Sequence, residues 1–343
     1  MSDGSGGTGA LRPPGAWNTG GILVIRRDNI GDLVCTLPLL SALRRALPDA
    51  TIDVLANSYN APLLRANPDI DTVHRYTKSK HRPPGGALPA LREQATLLWT
   101  LRRRHYDAVL VASGGGHRLE TRLWLRAIGA RTIVMRRDDQ GDHEVERVLA
   151  LGRALGLDLP ATAPRLYPDP SLLRQAQATL VGHGDRPVGL HISAREEENR
   201  WPAQRFIELI REGAARGLRF ALFWSPGAAG VPEHPGHDET ASRILAATRG
   251  LAVTACPTKS LAELTAALSC CERLVGSDGG HCHIAAAVGT PVVGLYCDHK
   301  TAQWRPWGTG HTVLSGRRVD DIPVTRVLAE LLAGTGGRAD QRP

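Results

Sequence analysis

Four short stretches of this chain gather residue types that could act on a phosphorylated ligand. The first is Arg26-Arg-Asp-Asn-Ile-Gly-Asp32. It follows the apolar run Gly21–Ile25 and precedes Leu33, Leu37, Leu40, Leu43 and Leu47, spaced by threes and fours. That places it between a strand and a helix. Asp32 falls at or near the helix start, where backbone N–H groups and the helix dipole favour an ionised carboxylate. Such a carboxylate can take a proton from a hydroxyl nucleophile, or it can simply cap its helix. The glycines of a dinucleotide-binding G-x-G-x-x-G turn are missing here.

The second stretch runs Arg273-Leu-Val-Gly-Ser-Asp-Gly-Gly-His-Cys-His-Ile-Ala-Ala-Ala-Val-Gly-Thr-Pro291. It reads as strand, glycine turn, small-residue helix and a second turn. At Gly279 and Gly280 backbone N–H groups can approach an anion, and the helix N-terminus adds a favourable dipole, so a diphosphate fits. A tight turn with core alanines is the other reading. The third stretch is Leu190-His-Ile-Ser-Ala-Arg195, continued by Glu196 to Asn199 and Arg200-Trp-Pro202. Ser193, Arg195 and Arg200 could donate to phosphate oxygens, arginine bidentately, or the loop could pair its own charges in solvent. The fourth, Trp304-Arg-Pro-Trp-Gly308, could line a sugar or base site, or pack at a domain seam.

Alternating elements must position these stretches. Strands are expected at residues 21–25, 51–55, 107–112, 132–135, 187–192, 219–224, 273–277 and 292–296. Helices are expected from Leu33 to Leu47 and at 88–104, 119–128, 203–216, 238–247, 261–270, 283–288 and 320–332. Strand–helix alternation predicts parallel sheets covered on both faces. Pro160, Pro164, Pro168 and Pro170 mark a linker. The fold class is therefore α/β, with a disordered tail at 1–16, an N-terminal domain at 17–168, a C-terminal domain at 169–333 and a second tail at 334–343. At roughly 150 residues per domain, 343 residues suit two. Ligands of such sheets sit at the carboxyl ends of the strands.

Composition excludes several classes. Hydrophobic residues make up 42% and charged residues 22%, so the chain can bury a core and is not disordered. The longest apolar candidate, Ala285–Cys297, is interrupted by Gly289, Thr290, Pro291 and Gly294, which argues against a membrane span. The first 20 residues lack a basic stretch followed by an apolar one, so a cytoplasmic protein without a signal peptide is expected. The net charge is +8, and only four basic residues are lysine (Lys78, Lys80, Lys259, Lys300). With 4% aromatic residues and no nucleic-acid motif, nucleic acid is not an expected partner. The six cysteines form no C-x-x-C pair and read as buried free thiols. His281, Cys282 and His283 fit no standard zinc spacing, so no metal site is expected. Basic residues at 78–82 and 101–105 could hold the chain peripherally at an anionic membrane face, or form a solvated surface.

Together the four stretches resemble the heptosyltransferase family, glycosyltransferase family 9. The similarity lies in GDLVCTLPLLSALRRALPDATIDVLA, NPDIDTVHRY, VGLHISAREEENRWPAQRFIELI, LVGSDGGHCHIAAAVGTPVVGLY and WRPWG, over roughly residues 20–330. The resemblance implies a GT-B fold, two Rossmann-like domains facing across a cleft. It also implies an inverting, metal-independent transfer of heptose from an ADP-activated donor to a sugar hydroxyl. The donor is a substrate, and no cofactor is expected. By matching positions, Asp32 becomes the general base, with Asn29 and Gly31 on the acceptor side. Asp278 and His283 fall on donor-binding positions, and Gly279 and Gly280 present N–H groups to the diphosphate. Ser193, Arg195 and Arg200 fall at the phosphate-binding loop, and Asp238 near a carboxylate that contacts the donor ribose. The chain departs from the family pattern at Gly279, where Ser or Thr is usual, and over Tyr296–Lys300, where Gly and Thr or Ser are usual. The expected acceptor is lipopolysaccharide core or another glycan, lipid-linked; a small natural-product acceptor, a nucleotide-sugar epimerase and a non-enzymatic nucleotide-sugar sensor are the alternatives.

Overall fold

Strand β1 (Gly21–Arg26) carries the run Ile22-Leu-Val-Ile25, every side chain of which is at most 1% exposed. A strand apolar on both faces needs cover on both faces, the condition of a parallel sheet under helices. The computed structural model describes residues 21–77, 87–114, 119–182, 184–194, 196–227 and 236–333. The expected tails, residues 78–86 and 228–235, and Arg195 lie outside the described residues.

The contacts divide the chain into two units. One comprises residues 1–28, 36–61 and 67–162; the other comprises 29–35, 62–66 and 163–343. The division differs from a cut near 168 chiefly because the segment Asn29–Cys35 groups with the later part of the chain.

In the first unit β1, β2 (Thr51–Asn57), β3 (Thr72–Tyr76), β4 (Tyr106–Val111) and β5 (Thr132–Met135) form one sheet in the order β3-β2-β1-β4-β5. All pairs are parallel. The expected Leu33–Leu47 helix is instead two helices, α1 (Ile30–Val34) and α2 (Leu37–Ala46). Pro38 stands in the first turn of α2. Inside a continuous helix its ring would press on the Val34 carbonyl and its missing N–H would cost a bond, so the helix breaks and restarts. Next come α3 (Ala87–Arg103), α4 (Leu119–Ile128) and α5 (Glu144–Arg153). Helix α5, not expected from the sequence, is started by His143, whose Nδ1 accepts the Val145 N–H at 3.1 Å while its own N–H donates to Glu146 at 3.1 Å.

The core of this unit holds a buried ion cluster. Arg26, 0% exposed, donates to the Ala112 carbonyl and, through Nη2, to Glu144 Oε1 at 2.6 Å. Arg136 donates to the same carboxylate oxygen, and Glu144 is also 0% exposed. The cluster joins the carboxyl end of β1 to that of β4 and to α5.

The second unit begins with α6 (Pro170–Leu180), capped by Asp169, which accepts N–H bonds from Ser171 and Leu172 at 2.9 and 3.2 Å. It then runs β6 (Val188–His191), α7 (Ala203–Ala214), β7 (Phe220–Trp224), α8 (Asp238–Ala247), β8 (Val253–Pro257), α9 (Leu261–Ser269), β9 (Arg273–Ser277), α10 (Gly280–Ala287), β10 (Val292–Cys297), α11 (Asp298–Trp304), β11 (Thr312–Gly316) and α12 (Val324–Ala333). The sheet order is β11-β10-β9-β6-β7-β8, again all parallel. The core packs Leu190, Phe206, Ile210, Phe220, Leu222, Val293 and Leu295, and Trp201 anchors itself by donating Nε1–H to the Ile322 carbonyl at 3.0 Å. The expected closing helix loses its first turn, because Pro323 separates a short 3-10 turn (Val319–Asp321) from α12.

Strands β3, β8 and β11 are absent from the sequence-based expectation. All three are at or beside a sheet edge and only partly buried, so their apolar runs are short.

Removing Glu144 would take from the buried Arg26 and from Arg136 the carboxylate they share, leaving the longer Arg26–Asp28 pair at 3.5 Å and the outward Arg136–Asp138 pair. Glu144→Ala is expected to destabilise the fold by about 3–5 kcal/mol. Chemical denaturation of both proteins checks this, and an unchanged midpoint would show that the cluster contributes nothing net.

Candidate active site

Because every strand of the second sheet is parallel, the loops after β6, β7, β9 and β10 leave from one edge. The chain turns outward in opposite senses from the adjacent pair β6 and β9, the position where open α/β sheets form a crevice. The loop after β6 carries Ser193 and residues 196–200. The turn after β9 carries Asp278, Gly279 and Gly280.

Gly279 has an extended backbone (φ 173°) that any residue can adopt, so conformation does not demand glycine here. Space does: a Cβ at Gly279 would lie 2.8 Å from His281 Cε1. A Cβ at Gly280 would lie 2.7 Å from Ile30, and one at Gly31 would lie 2.8 Å from His283 Cδ2. Two glycines thus let α1 settle directly on the first turns of α10. Gly31 and Cys35, on either side of Asp32 in the chain, thus lie against His283, whose ring is 3% exposed, with Nδ1 3.7 Å from Cys35 Sγ and the ring edge-on to Trp304 at 6.4 Å. Asp32 is half-buried, and its Oδ2 accepts the Asn29 N–H at 3.0 Å. Asp32 is thus not the cap itself: Asn29 is the N-cap, and Asp32, at the third helical position, closes a capping box with it. Asn29 is exposed and Gly31 half-buried.

Asp278 ends β9, its N–H donating to the Leu295 carbonyl at 3.0 Å. Its Oδ2 accepts from Asn199 Nδ2 at 3.4 Å. Burial pushes the carboxyl up to about 6, against the opposing pull of Lys300 and with added push from Glu196 and Glu198. Ser193 Oγ accepts the Ser225 N–H at 3.0 Å, tying the loop after β6 to the end of β7. Arg200 is exposed, and its Nε reaches back to the Ala194 carbonyl at 3.4 Å. Asp238 sits in the first turn of α8. Its oxygens take the Trp224 indole N–H at 2.7 Å and the Gly227 N–H at 2.9 Å, and those bonds hold its carboxyl below the usual range. Both oxygens therefore organise the loop after β7.

Two groups at this edge escaped the sequence reading. His191, ending β6, stacks on His281 of α10 with ring centroids 3.8 Å apart and planes 9° from parallel. Burial keeps both rings neutral, His281 pushed down to about 3. His281 stacks on His191, the Cys282 thiol points at the Gly276 and Ser277 carbonyls, and His283 faces Cys35. These three neighbours diverge, and among the described residues no three metal-binding side chains stand together. All six cysteines are free, five of them buried. The second missed group is Lys300, which pairs with Glu196 and with Glu198 at 2.6 Å. The available signal was its place just past a fully buried strand, at a carboxyl end.

Asp278 makes folding pH-dependent with a definite sign. Between its ordinary value of 3.8 and about 6, the folded chain holds a proton that the unfolded chain has lost. Its contribution to stability therefore falls as pH rises through that window. Asp278→Asn, which cannot ionise, should gain in melting temperature relative to the parent as pH rises from about 4 to 6, and the gap should then level off. Melting curves across that range check it; a gap that narrows would refute the assignment.

Comparison with known proteins bears on what this edge does. Residues 116–326 match the model of glycosyltransferase family 9 (heptosyltransferase). The chain is 27% identical over 301 residues to lipopolysaccharide heptosyltransferase 3 of Escherichia coli, covering 81% of this chain and 83% of that one. Among solved structures, the glycosyl transferase family 9 protein of Veillonella parvula superposes with a TM-score of 0.80 at 18% identity, over 92% of this chain and 97% of that one. The E. coli heptosyltransferase WaaC with ADP-2-deoxy-2-fluoro heptose gives a TM-score of 0.69 at 21% identity, over 92% and 99%. The two parallel sheets are those of the GT-B heptosyltransferases. No helix among the described residues is long and apolar enough to cross a membrane. The chain belongs to glycosyltransferase family 9, the heptosyltransferase family, and is a glycosyltransferase.

Proposed function

We propose that this enzyme moves a heptose from an ADP-activated donor to a hydroxyl of lipopolysaccharide core, with inversion at the anomeric carbon and without a catalytic metal or cofactor. The observation that carries the reading is the seating of α1, with Asp32, on the start of α10 beside His283. Asp32 is thereby carried on the helix that packs against the start of α10. The donor's ADP moiety is supported by the ADP-heptose analogue held by the similar E. coli enzyme, and the acceptor by the names of the E. coli relatives.

In this mechanism Asp32 takes the proton from the acceptor hydroxyl as its oxygen attacks the anomeric carbon, and the bond from that carbon to the diphosphate oxygen breaks. Asn29 and Gly31 border the acceptor. The departing diphosphate gains negative charge, which the Gly279 and Gly280 N–H groups and the dipole of the eight-residue α10 stabilise. Ser193 and Arg200 complete the anion site from the loop after β6, Arg195 is assigned to it by the family resemblance alone, and Asp278 and His283 hold the donor sugar. Asp238 serves the nucleoside side by fixing the loop after β7. An acceptor of this kind places the enzyme at the cytoplasmic face of the inner membrane, where exposed Arg102 and Arg103 of α3 can meet anionic lipid.

The test is transfer from ADP-heptose to heptose-deficient lipopolysaccharide, followed by mass spectrometry. Product should form only with acceptor present; conversion of donor alone would identify an epimerase, and donor binding without turnover on any acceptor would identify a sensor. Asp32→Asn should lower kcat by at least about 10²-fold with ADP affinity little changed. A fully active variant would remove Asp32 from the role of base.

A further inference from the structure

Lys300 lies in the first turn of α11, directly after β10, the neighbour of β9. Its ammonium pairs with Glu196 and with Glu198 Oε1 at 2.6 Å, and stands 3.4 Å from Asn199 Oδ1. The amide of the same Asn199 donates to Asp278 Oδ2 at 3.4 Å. Three segments far apart in sequence, 196–199, 278 and 300, are joined into one chain of polar contacts. The Lys300 side chain is 17% exposed and Asn199 is 4% exposed, so the inner part of this chain is largely shielded from water. Burial alone would lower the lysine, yet its glutamates hold it up to about 12. It is a firmly charged group.

The charge count gives the lysine its importance. Among the described residues, Asp278 is faced by Glu196, Glu198 and Asn199 from the loop after β6 and by Lys300 from α11; Cys282 of α10 and Tyr296 and Cys297 of β10 lie near it as well. The thiols and the phenol are pushed up by burial and stay neutral. Glu198 in turn has His299 at 3.8 Å and feels Arg318. Asp278 and its two glutamate neighbours make three carboxylates against one ammonium. Without that ammonium the carboxylates repel one another, and the loop after β6 keeps only the weaker contacts of Glu198 with His299 at 3.8 Å and of Cys297 Sγ with the Glu198 carbonyl and Asn199 Oδ1 at 3.7 and 3.6 Å.

We infer that Lys300 is a positioning residue of the donor site: it fastens the loop that carries Ser193 and Arg200 to the start of α11 and, through Asn199, holds the Asp278 carboxylate in place. The inference deepens the donor-site reading above and rests on it for its consequence, though the tie itself does not. It also gives a physical role to a stretch, Tyr296–Lys300, where the sequence departs from the family pattern.

The experiment compares the full chain with Lys300→Met and Lys300→Arg. Carbon-detected NMR of aspartate-labelled protein follows the Asp278 carboxyl and needs no ligand. An opposite charge close by ordinarily lowers a carboxyl by about 1 pH unit or more, so its titration should move up by about that much in Lys300→Met and return in Lys300→Arg. Calorimetry with ADP should show at least about a tenfold loss of affinity at pH 8 in Lys300→Met, restored in Lys300→Arg, the pattern expected of a lost charge-assisted contact. An unmoved titration, or a moved titration with ADP affinity equal to the parent's, overturns the proposal. If Lys300→Met does not fold, Lys300→Gln is measured against the same criteria. A parent chain that binds no ADP, with the titration moved as expected, overturns the donor assignment and leaves the tie standing, so the two failures are told apart.

Discussion

A methyl group will not fit between α1 and α10. At Gly31 it would meet the His283 imidazole, and at Gly280 it would meet Ile30. This contact requirement governs the rest of the site, because α1 is only five residues long and has little helical stability of its own. Its place is set by tertiary packing: buried Leu33 and Val34, the Cys35 thiol against His283, and two glycines that remove the obstacle. Asp32, carried on such a short helix, gains its position from the partner helix. The grouping of Asn29–Cys35 with the later part of the chain expresses the same fact.

Around that contact, the carboxyl edge of the second sheet balances charge against burial. The start of α10 favours anions, yet Asp278 at that point is raised by burial and by Glu196 and Glu198. Lys300 provides the opposing positive charge, and Asn199 relays it. A site of this kind is sensitive to each charge in it, since low local dielectric strengthens both attraction and repulsion. The stacked His191 and His281 sit beside the same turn but carry no charge, and the His281 ring fills the space over Gly276 and Gly279 that no added Cβ could share.

The first unit meets burial differently. Arg26 and Glu144 are both fully buried, and they are tolerated because each has a charged partner and Arg26 also bonds the Ala112 carbonyl. The ion cluster stands at the carboxyl ends of β1 and β4, the position in this sheet equivalent to that of β6 and β9 in the other. One fold plan thus supports a polar feature at the same topological place twice, as an internal ion pair in one unit and as an open set of loops in the other.

Much of this was legible in the residues. The central strands are fully apolar runs such as Ile22–Ile25 and Val292–Leu295, which only a doubly covered parallel sheet can bury, and the Gly279–Gly280 turn ahead of small alanines marked a helix start. Edge strands β3, β8 and β11 stayed hidden because partly exposed strands need few apolar residues, and the break at Thr36 was obscured by a leucine pattern that continues across Pro38. Side-chain partners were beyond reach. That Asp238 is engaged by Trp224 and Gly227, that His281 stacks on His191, and that Lys300 answers Glu196 and Glu198 across some hundred residues all depend on which strand ends lie side by side. Sequence determined the local elements, since these follow from near-neighbour periodicity and turn chemistry. Only the tertiary structure decided the partners, because strand order brings together residues whose separation along the chain carries no trace of their contact.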